Sequence, residues 1–307
     1  MGKYILRRLL VMIPTLLFVV FIIFAILQFI PNSPGRMILG INAPQEQVEL
    51  LNQQLGYYDP MPVKFVNYVL NALKGDFGES YKYSKPVFEV LMPKFPTTAK
   101  LAFLSMLVSA VIGIPVGIIA AVKKHSMADR SATVLALLLG SVPSFFLGVL
   151  MILLFSMKLH WLPSNGLGTW KNYIMPVLTL ALPSAAFLSR LTRTTMLDTM
   201  GQDYIRTARA KGCKPARVVV CHGLRNALMP VVTQLGMNFA GLLGGAMITE
   251  QVFGLPGFST MILAAMKTKD VPVIMGSTIF ISAMFMLIML VVDLIYAVLD
   301  PRVGAQY

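Results

Sequence analysis

The chain has 307 residues, of which 56% are hydrophobic and only 13% charged, about half the charged share of an ordinary soluble domain. Its apolar residues gather in runs of about 20, the length a bilayer core requires, so lipid is the solvent for most of the molecule. A net charge of +13 in a soluble protein points to nucleic acid; here the basic residues lie between the apolar runs, as in membrane proteins, and no nucleic-acid partner is expected.

The first run, Leu9 to Ile30, follows Lys3, Arg7 and Arg8. It is too long for the apolar core of a secretory leader and no small-x-small site follows, so residues 1–30 read as a retained helix. Residues 31–99 form a long loop with helical signals. Phe65, Tyr68, Val69, Ala72 and Leu73 recur on one helical face within Val63 to Leu73, and Val48, Leu51 and Leu55 suggest a shorter helix opened near Pro44. Gly75-Asp76-Phe77-Gly78 reads as a turn. The loop suits either a docking cap for a partner or a self-packed lid.

Five more spans follow in residues 100–299: Leu101 to Val122, Ala132 to Met157, Tyr173 to Leu188, Leu228 to Thr249 and Val273 to Leu299. A tail, 300–307, closes the chain. Proline within the runs, at Pro14, Pro115, Pro143, Pro176, Pro183 and Pro230, predicts kinked helices. The expected fold class is an all-α membrane protein of six transmembrane helices with a helical external loop after the first. No internal repeat is visible.

Charge sets the expected orientation. The N-terminus, the second loop, the fourth loop (189–227) and the tail hold 15 basic residues, eight of them between Arg190 and Arg225; the two short opposite loops hold four, Lys158, Lys171, Lys267 and Lys269. Both termini are therefore expected in the cytoplasm. Cys213 and Cys221 form no CxxC pair and His125, His160 and His222 are scattered, so a metal site or disulfide is not expected.

Catalytic signatures are missing. There is no GxxxxGK[ST] loop for ATP, no HExxH and no GxSxG. Acids within the spans are almost absent, with Asp293 and Glu250 near span ends. That argues against an ion-coupled transporter, which places ionisable groups near midplane; a membrane-embedded enzyme is a further alternative. In the fifth span Gln234, Asn238, Gly241, Gly245 and Thr249 form one polar or small stripe. Gln234 and Asn238 suit either a translocation path or helix packing, whereas Gly241-x-x-x-Gly245 and Gly113-x-x-x-Gly117 suit packing.

The fourth loop carries a short helix signal. Asp203 can cap Tyr204, Ile205, Arg206, Thr207, Ala208, Arg209, Ala210 and Lys211, with Gly212 at the C-terminal cap. Ile205, Ala208 and Ala210 would let a partner surface come close; a basic segment on anionic lipid is the alternative. This run, with Leu224-Arg225-Asn226-Ala227-Leu228-Met229-Pro230, closely resembles the cytoplasmic loop of oligopeptide and dipeptide importer permeases, inner subunits of binding-protein-dependent ABC transporters. Gly75-Asp76-Phe77-Gly78, the run Glu250 to Gly257, Asp300-Pro301-Arg302 and Ile5-Leu6-Arg7-Arg8-Leu9 are similar as well. Arg206-Thr207-Ala208 stand where the general importer pattern has Glu-Ala-Ala, a variation common in the peptide branch.

The resemblance implies a type I ABC importer permease that moves peptides, most simply oligopeptides, or by the same mechanism dipeptides, nickel chelates or other small solutes. It implies partners: a second homologous permease, two ABC ATPase subunits and an external binding protein, all at a cytoplasmic membrane. The segment Asp203 to Gly212 would be the ATPase-coupling helix. ATP and magnesium would sit on the ATPases, leaving this chain without a cofactor and without enzymatic activity.

Overall fold

The computed structural model describes residues 2–29 and 33–299; the tail 300–307, with Asp300-Pro301-Arg302, and Ile30 at the end of the first expected span lie outside the described residues. In chain order the helices are α1 Gly2–Leu27, α2 Pro34–Leu39, α3 Gln45–Gln54, α4 Met61–Leu73, α5 Val87–Leu91, α6 Phe95–Val122, α7 Met127–Ser141 and α8 Ser144–Met151. After a π-helical extension, Ile152–Lys158, come α9 Lys171–Met200, α10 Asp203–Ala210 and α11 Pro215–Arg217. A second π-helical turn, Val218–Leu224, leads into α12 Arg225–Gly245, α13 Met247–Val252, α14 Phe258–Lys267 and α15 Val271–Leu299. Proline opens many of them: Pro44, Pro60, Pro86 and Pro143 each occupy the N-cap position, where the missing N–H costs nothing.

Five of these helical segments are long and apolar enough to cross a membrane: Arg8–Leu27, Phe95–Val122, Lys171–Met200, Pro215–Gly245 and Val271–Ile295. The sixth expected span is a broken one, Met127–Ser141 with Ser144–Lys158, bent by 97°. The cause is local. Pro143 excludes the helical backbone at Val142, which is extended at φ −83° and ψ 126°. The expected fourth span, Tyr173 to Leu188, is the first half of a helix that continues to Met200. Arg190 and Arg193 end the apolar run there, but arginine is a good helix former and no glycine intervenes before Gly201. The fifth span likewise begins early, at Pro215, and stops at Gly245, so Thr249 belongs to the separate α13 and the predicted five-residue stripe is interrupted. The expected fourth loop is accordingly short, reduced to α10 and its flanks.

The chain divides into two compact units. The first comprises residues 2–5, 97–255 and 287–299 among those described. Its centre is α9, the most buried of the five long spans, which contacts α7, α8 and α12. Leu101, Met151, Met175, Val177, Leu180, Ala246, Phe253 and Leu255 make its main apolar cluster. Helix α6 lies against α9 through glycine: a Cβ on Gly113 would stand 2.7 Å from Ala185 O, and one on Gly117 would stand 2.5 Å from Ser189 O and 2.6 Å from Thr192 Cβ. That is the predicted small-residue packing. The same expectation fails for Gly241 and Gly245, where a Cβ meets nothing within 4 Å. The face of α12 that carries them is open within the chain.

The second unit comprises residues 6–96, as far as described, and 256–286. Val20 and Phe24 of α1 pack with Phe65 and Tyr68 of α4 and with Met275. Phe65 sits edge-on to Phe24 at 5.6 Å between ring centroids. The expected helical face of α4 is thus seen, except Leu73, which is 79% exposed. Val87, Leu91, Phe258, Met261, Ala265 and Val273 form a second cluster, joined by Phe95 and Phe280. Its polar anchor is Asp270, the buried residue just before α15. Asp270 Oδ2 accepts from Ser80 Oγ at 2.5 Å and from Lys82 N at 3.3 Å, and Oδ1 accepts from Tyr81 N at 3.2 Å. Burial, with the Asp270 charge as the lesser cause, pushes the Tyr81 phenol up to about 12, so it stays neutral.

The two kinds of glycine predict opposite responses. Gly117→Val drives a side chain into the α9 backbone, an overpacking that costs about 1–3 kcal/mol or more. Gly241→Ala enters open space and removes helix-destabilising glycine, about 0.5–1 kcal/mol in favour of the variant. Thermal denaturation of the chain in detergent should show a lowered Tm for the first and an equal or higher Tm for the second. Equal Tm values for Gly117→Val and the parent chain would contradict the packing described.

Candidate functional site

Helix α10 is short, yet both of its ends are fixed. Gln202, extended at φ −75° and ψ 153°, is the N-cap, and makes no side-chain capping bond. Asp203, expected as the cap, is already helical. Its acid instead lies in the first turn, where the helix dipole favours it, 3.5 Å from Arg206 NH1. At the other end Gly212 adopts φ +76°, as expected of a left-handed cap. Gly212 N donates to Arg209 O at 2.9 Å and Cys213 N to Ala208 O at 3.2 Å, a Schellman closure that stops the helix.

The helix is also anchored from below. Ile205 is fully buried, and with Ala208 and Val218 it forms a small core joined by Met200 and Cys213. Asn226 Nδ2 donates to Tyr204 Oη at 2.8 Å, tying α10 to the start of α12. Of the three apolar or small residues expected to admit a partner, Ile205 and Ala208 therefore face inward. Helical periodicity leaves Asp203, Tyr204, Arg206, Thr207, Arg209, Ala210 and Lys211 exposed, with Ala210 the one alanine on the outer side. The result is a stiff, basic ridge with a bare outer face.

The helix leading into that ridge is braced in turn. Arg193 of α9 grips Asp129 with two bonds, Nε to Oδ1 at 2.5 Å and NH2 to Oδ2 at 2.9 Å. His125 N donates to the same carboxylate at 2.9 Å, while Ser126 caps α7 by accepting from Asp129 N at 3.3 Å. Sequence reasoning missed this pair. Ser126-x-x-Asp129 is a readable helix-start signal, but nothing in sequence spacing marks Arg193, 64 positions on, as the partner. Thr98 and Glu250 form another pairing missed from the sequence: Thr98 Oγ1 donates to Glu250, which is fully buried.

The expected path residues do meet. Gln234 Nε2 donates to Asn238 Oδ1 at 2.8 Å, one helical turn apart, and Asn238 Nδ2 donates to Ser184 Oγ of α9 at 2.8 Å. Ser184 was absent from the sequence reading; a serine beside Pro183 in an apolar run gives no local sign of a partner in α12.

Long apolar helices, one broken span and a basic ridge between two of the long spans mark the chain as a helical membrane protein. Solved structures share the fold. The MetNI methionine ABC transporter in inward-facing conformations has a chain that superposes with TM-score 0.59, at 21% identity, over 71% of this chain and 99% of that one. An amino acid ABC transporter crystallised with histidines gives TM-score 0.50, at 17% identity, over 70% and 94%.

Residues 113–305 match the family of binding-protein-dependent transport system inner membrane components, and residues 1–102 match the N-terminal region of the same membrane components. The glutathione transport system permease protein GsiC of Escherichia coli (strain K12) is 41% identical over 303 residues, 99% of each chain, and GsiC of Salmonella typhimurium (strain LT2) is equally similar. The chain belongs to this family: it is a multi-pass inner-membrane permease subunit of an ABC importer, working with ATPase and binding-protein partners.

The inward position of Ala208 predicts that Ala208→Trp disrupts the loop itself. Limited proteolysis of the purified chain should cut the variant between Gly201 and Lys214 faster than the parent, while Ala210→Trp should leave the cleavage rate unchanged. Equal protection of Ala208→Trp would contradict the small core beneath α10.

Proposed function

We propose that this chain forms, with a second homologous permease, the path by which short peptides of the glutathione type enter the cytoplasm, driven by two ATPase subunits. Identity of 41% along essentially the full length of a glutathione permease supports the substrate class. ATP and magnesium belong to the ATPases, and an external binding protein delivers the peptide. Both termini and the α10 ridge lie on the cytoplasmic side, in keeping with the concentration of basic residues there.

The observation that carries the mechanism is the α10 ridge: fixed underneath by Ile205, Ala208 and Val218, closed at its end by Gly212, and bare on its outer face. An element that transmits displacement must be stiff and must fit a groove. In the proposed cycle the outer face, with Tyr204, Arg206, Thr207 and Ala210, seats in a groove of an ATPase. Nucleotide-driven closure of the two ATPases then moves the ridge, and α9 and α12, joined to it at Met200 and Asn226, reorient the bundle. Gln234 and Asn238 line the path in this scheme.

The test is a bulky residue on the outer face. Ala210→Trp should leave the chain inserted and folded, yet reduce co-purification of the ATPase subunits and cut ATP-driven glutathione uptake by about tenfold or more, the loss expected when a buried interface contact worth ~1.4 kcal/mol or more is removed. Normal association and uptake in that variant would rule out the coupling role of α10.

A further inference from the structure

Three polar side chains meet near the middle of two spans of the first unit, Ser184 in α9 and Gln234 with Asn238 in α12. Their hydrogen bonds run one way. Gln234 donates to Asn238 and Asn238 donates to Ser184, each at 2.8 Å. The ends of the chain are therefore unlike. Ser184 Oγ has accepted a bond, and its own hydroxyl proton is given to no described residue. Gln234 Oε1, at the other end, accepts from none. All three side chains are half-buried rather than sealed in.

The surrounding face is open. Gly241 and Gly245 continue the strip along α12, exposed and with no atom within 4 Å of where a Cβ would stand. The far side of the same helix is closed, with Gly236 buried against Val292. In a bilayer an open strip with an unused donor and an unused acceptor must meet protein, water or substrate, because hydrocarbon satisfies neither group. The described residues of the strip hold no acid or base to act as a counter-ion; its free donor and free acceptor match a neutral unit that accepts at one end and donates at the other.

The geometry points to a subsite for the peptide bond of the substrate, with Ser184 donating to a peptide C=O and Gln234 Oε1 accepting a peptide N–H. A peptide group carries both partners whatever the side chains beside it, and the glycine-lined part of the strip leaves room for those side chains. Asn238 is the positioning residue that holds the other two in register. This rests on the reading of the substrate as a short peptide.

The test uses the complete complex, permeases, ATPases and binding protein, in proteoliposomes. Two probes are compared, glutathione and an analogue with both amide N–H groups replaced by ester oxygens, so that the carbonyls remain and the donors are gone. Comparing each variant with the parent complex on the same probe cancels the binding protein's own preference. On glutathione, Gln234→Met and Ser184→Ala should each slow ATP-driven uptake about fivefold, the value of one net hydrogen bond. On the ester, Gln234→Met should cost clearly less than on glutathione, keeping only what the lost bond to Asn238 costs, since there is no substrate donor left to lose, and Ser184→Ala should keep its cost.

Equal losses for Gln234→Met on both probes would overturn the subsite. So would loss of association between the two permease subunits, which would make the strip a subunit interface. Full-rate uptake in both variants would remove the subsite while leaving peptide import standing. Should the parent complex import neither glutathione nor trialanine, assayed as a control peptide, the peptide reading falls and the subsite with it.

Discussion

Hydrocarbon offers no hydrogen-bond partner, and this constraint shapes almost every feature of the chain. It requires each spanning backbone to satisfy itself, so the long elements are helices. Several hydroxyl groups within the spans bond back to their own helix: Ser105 donates to Leu101 O, Ser109 to Met106 O and Thr179 to Met175 O, each at 2.8 Å. The break at Val142-Pro143 and the two π-helical turns are the local departures, and each is a place where the chain changes direction or register. The Thr192 and Ser277 hydroxyls are buried without a partner among the described residues, whereas Gln234 and Ser184 keep unused hydrogen-bonding capacity on an open face.

The first unit behaves as a train of stiff contacts leading from α10 into the bundle. Gly113 and Gly117 bring α6 to backbone distance from α9. Arg193 and Asp129 clamp α9 to the start of α7 with two parallel bonds, a geometry that fixes direction as well as distance. Ile205, Ala208 and Val218 then lock α10 to the segment entering α12. A displacement applied at α10 reaches the spans that carry Ser184 and Asn238 through the packing of Ile205, Ala208 and Met200 and the bond from Asn226 to Tyr204. This is the physical basis for assigning α10 to coupling and the open strip to the path.

Much of this was legible in the sequence, and what was not has a common cause. Apolar run length located all six spans, and the caps at Pro44 and Gly212 were read correctly because capping is a local property. Gly113-x-x-x-Gly117 was read as packing and is packing. The identical spacing at Gly241 and Gly245 is not, since spacing says only that close approach is permitted and not that a neighbour is present. Run length also ended α9 twelve residues early and began the fifth span late, because charge ends hydropathy before it ends a helix. Ala208 was placed on the outer face for want of knowing that Val218 packs beneath it. Asp129 with Arg193, Thr98 with Glu250 and Asn238 with Ser184 are all distant in sequence, and such pairs leave no local trace.

What energy source drives uptake decides whether the α10 ridge has the role assigned to it. The direct measurement is glutathione uptake into proteoliposomes holding either the permease pair alone, under an imposed proton or sodium gradient, or the complete complex with ATP and binding protein. Uptake should require ATP and the binding protein, be unaffected by ionophores, and be absent from the permease pair alone. Gradient-driven uptake by the permeases without their ATPases would contradict an ATP-coupled mechanism and make the ridge a basic membrane-surface loop.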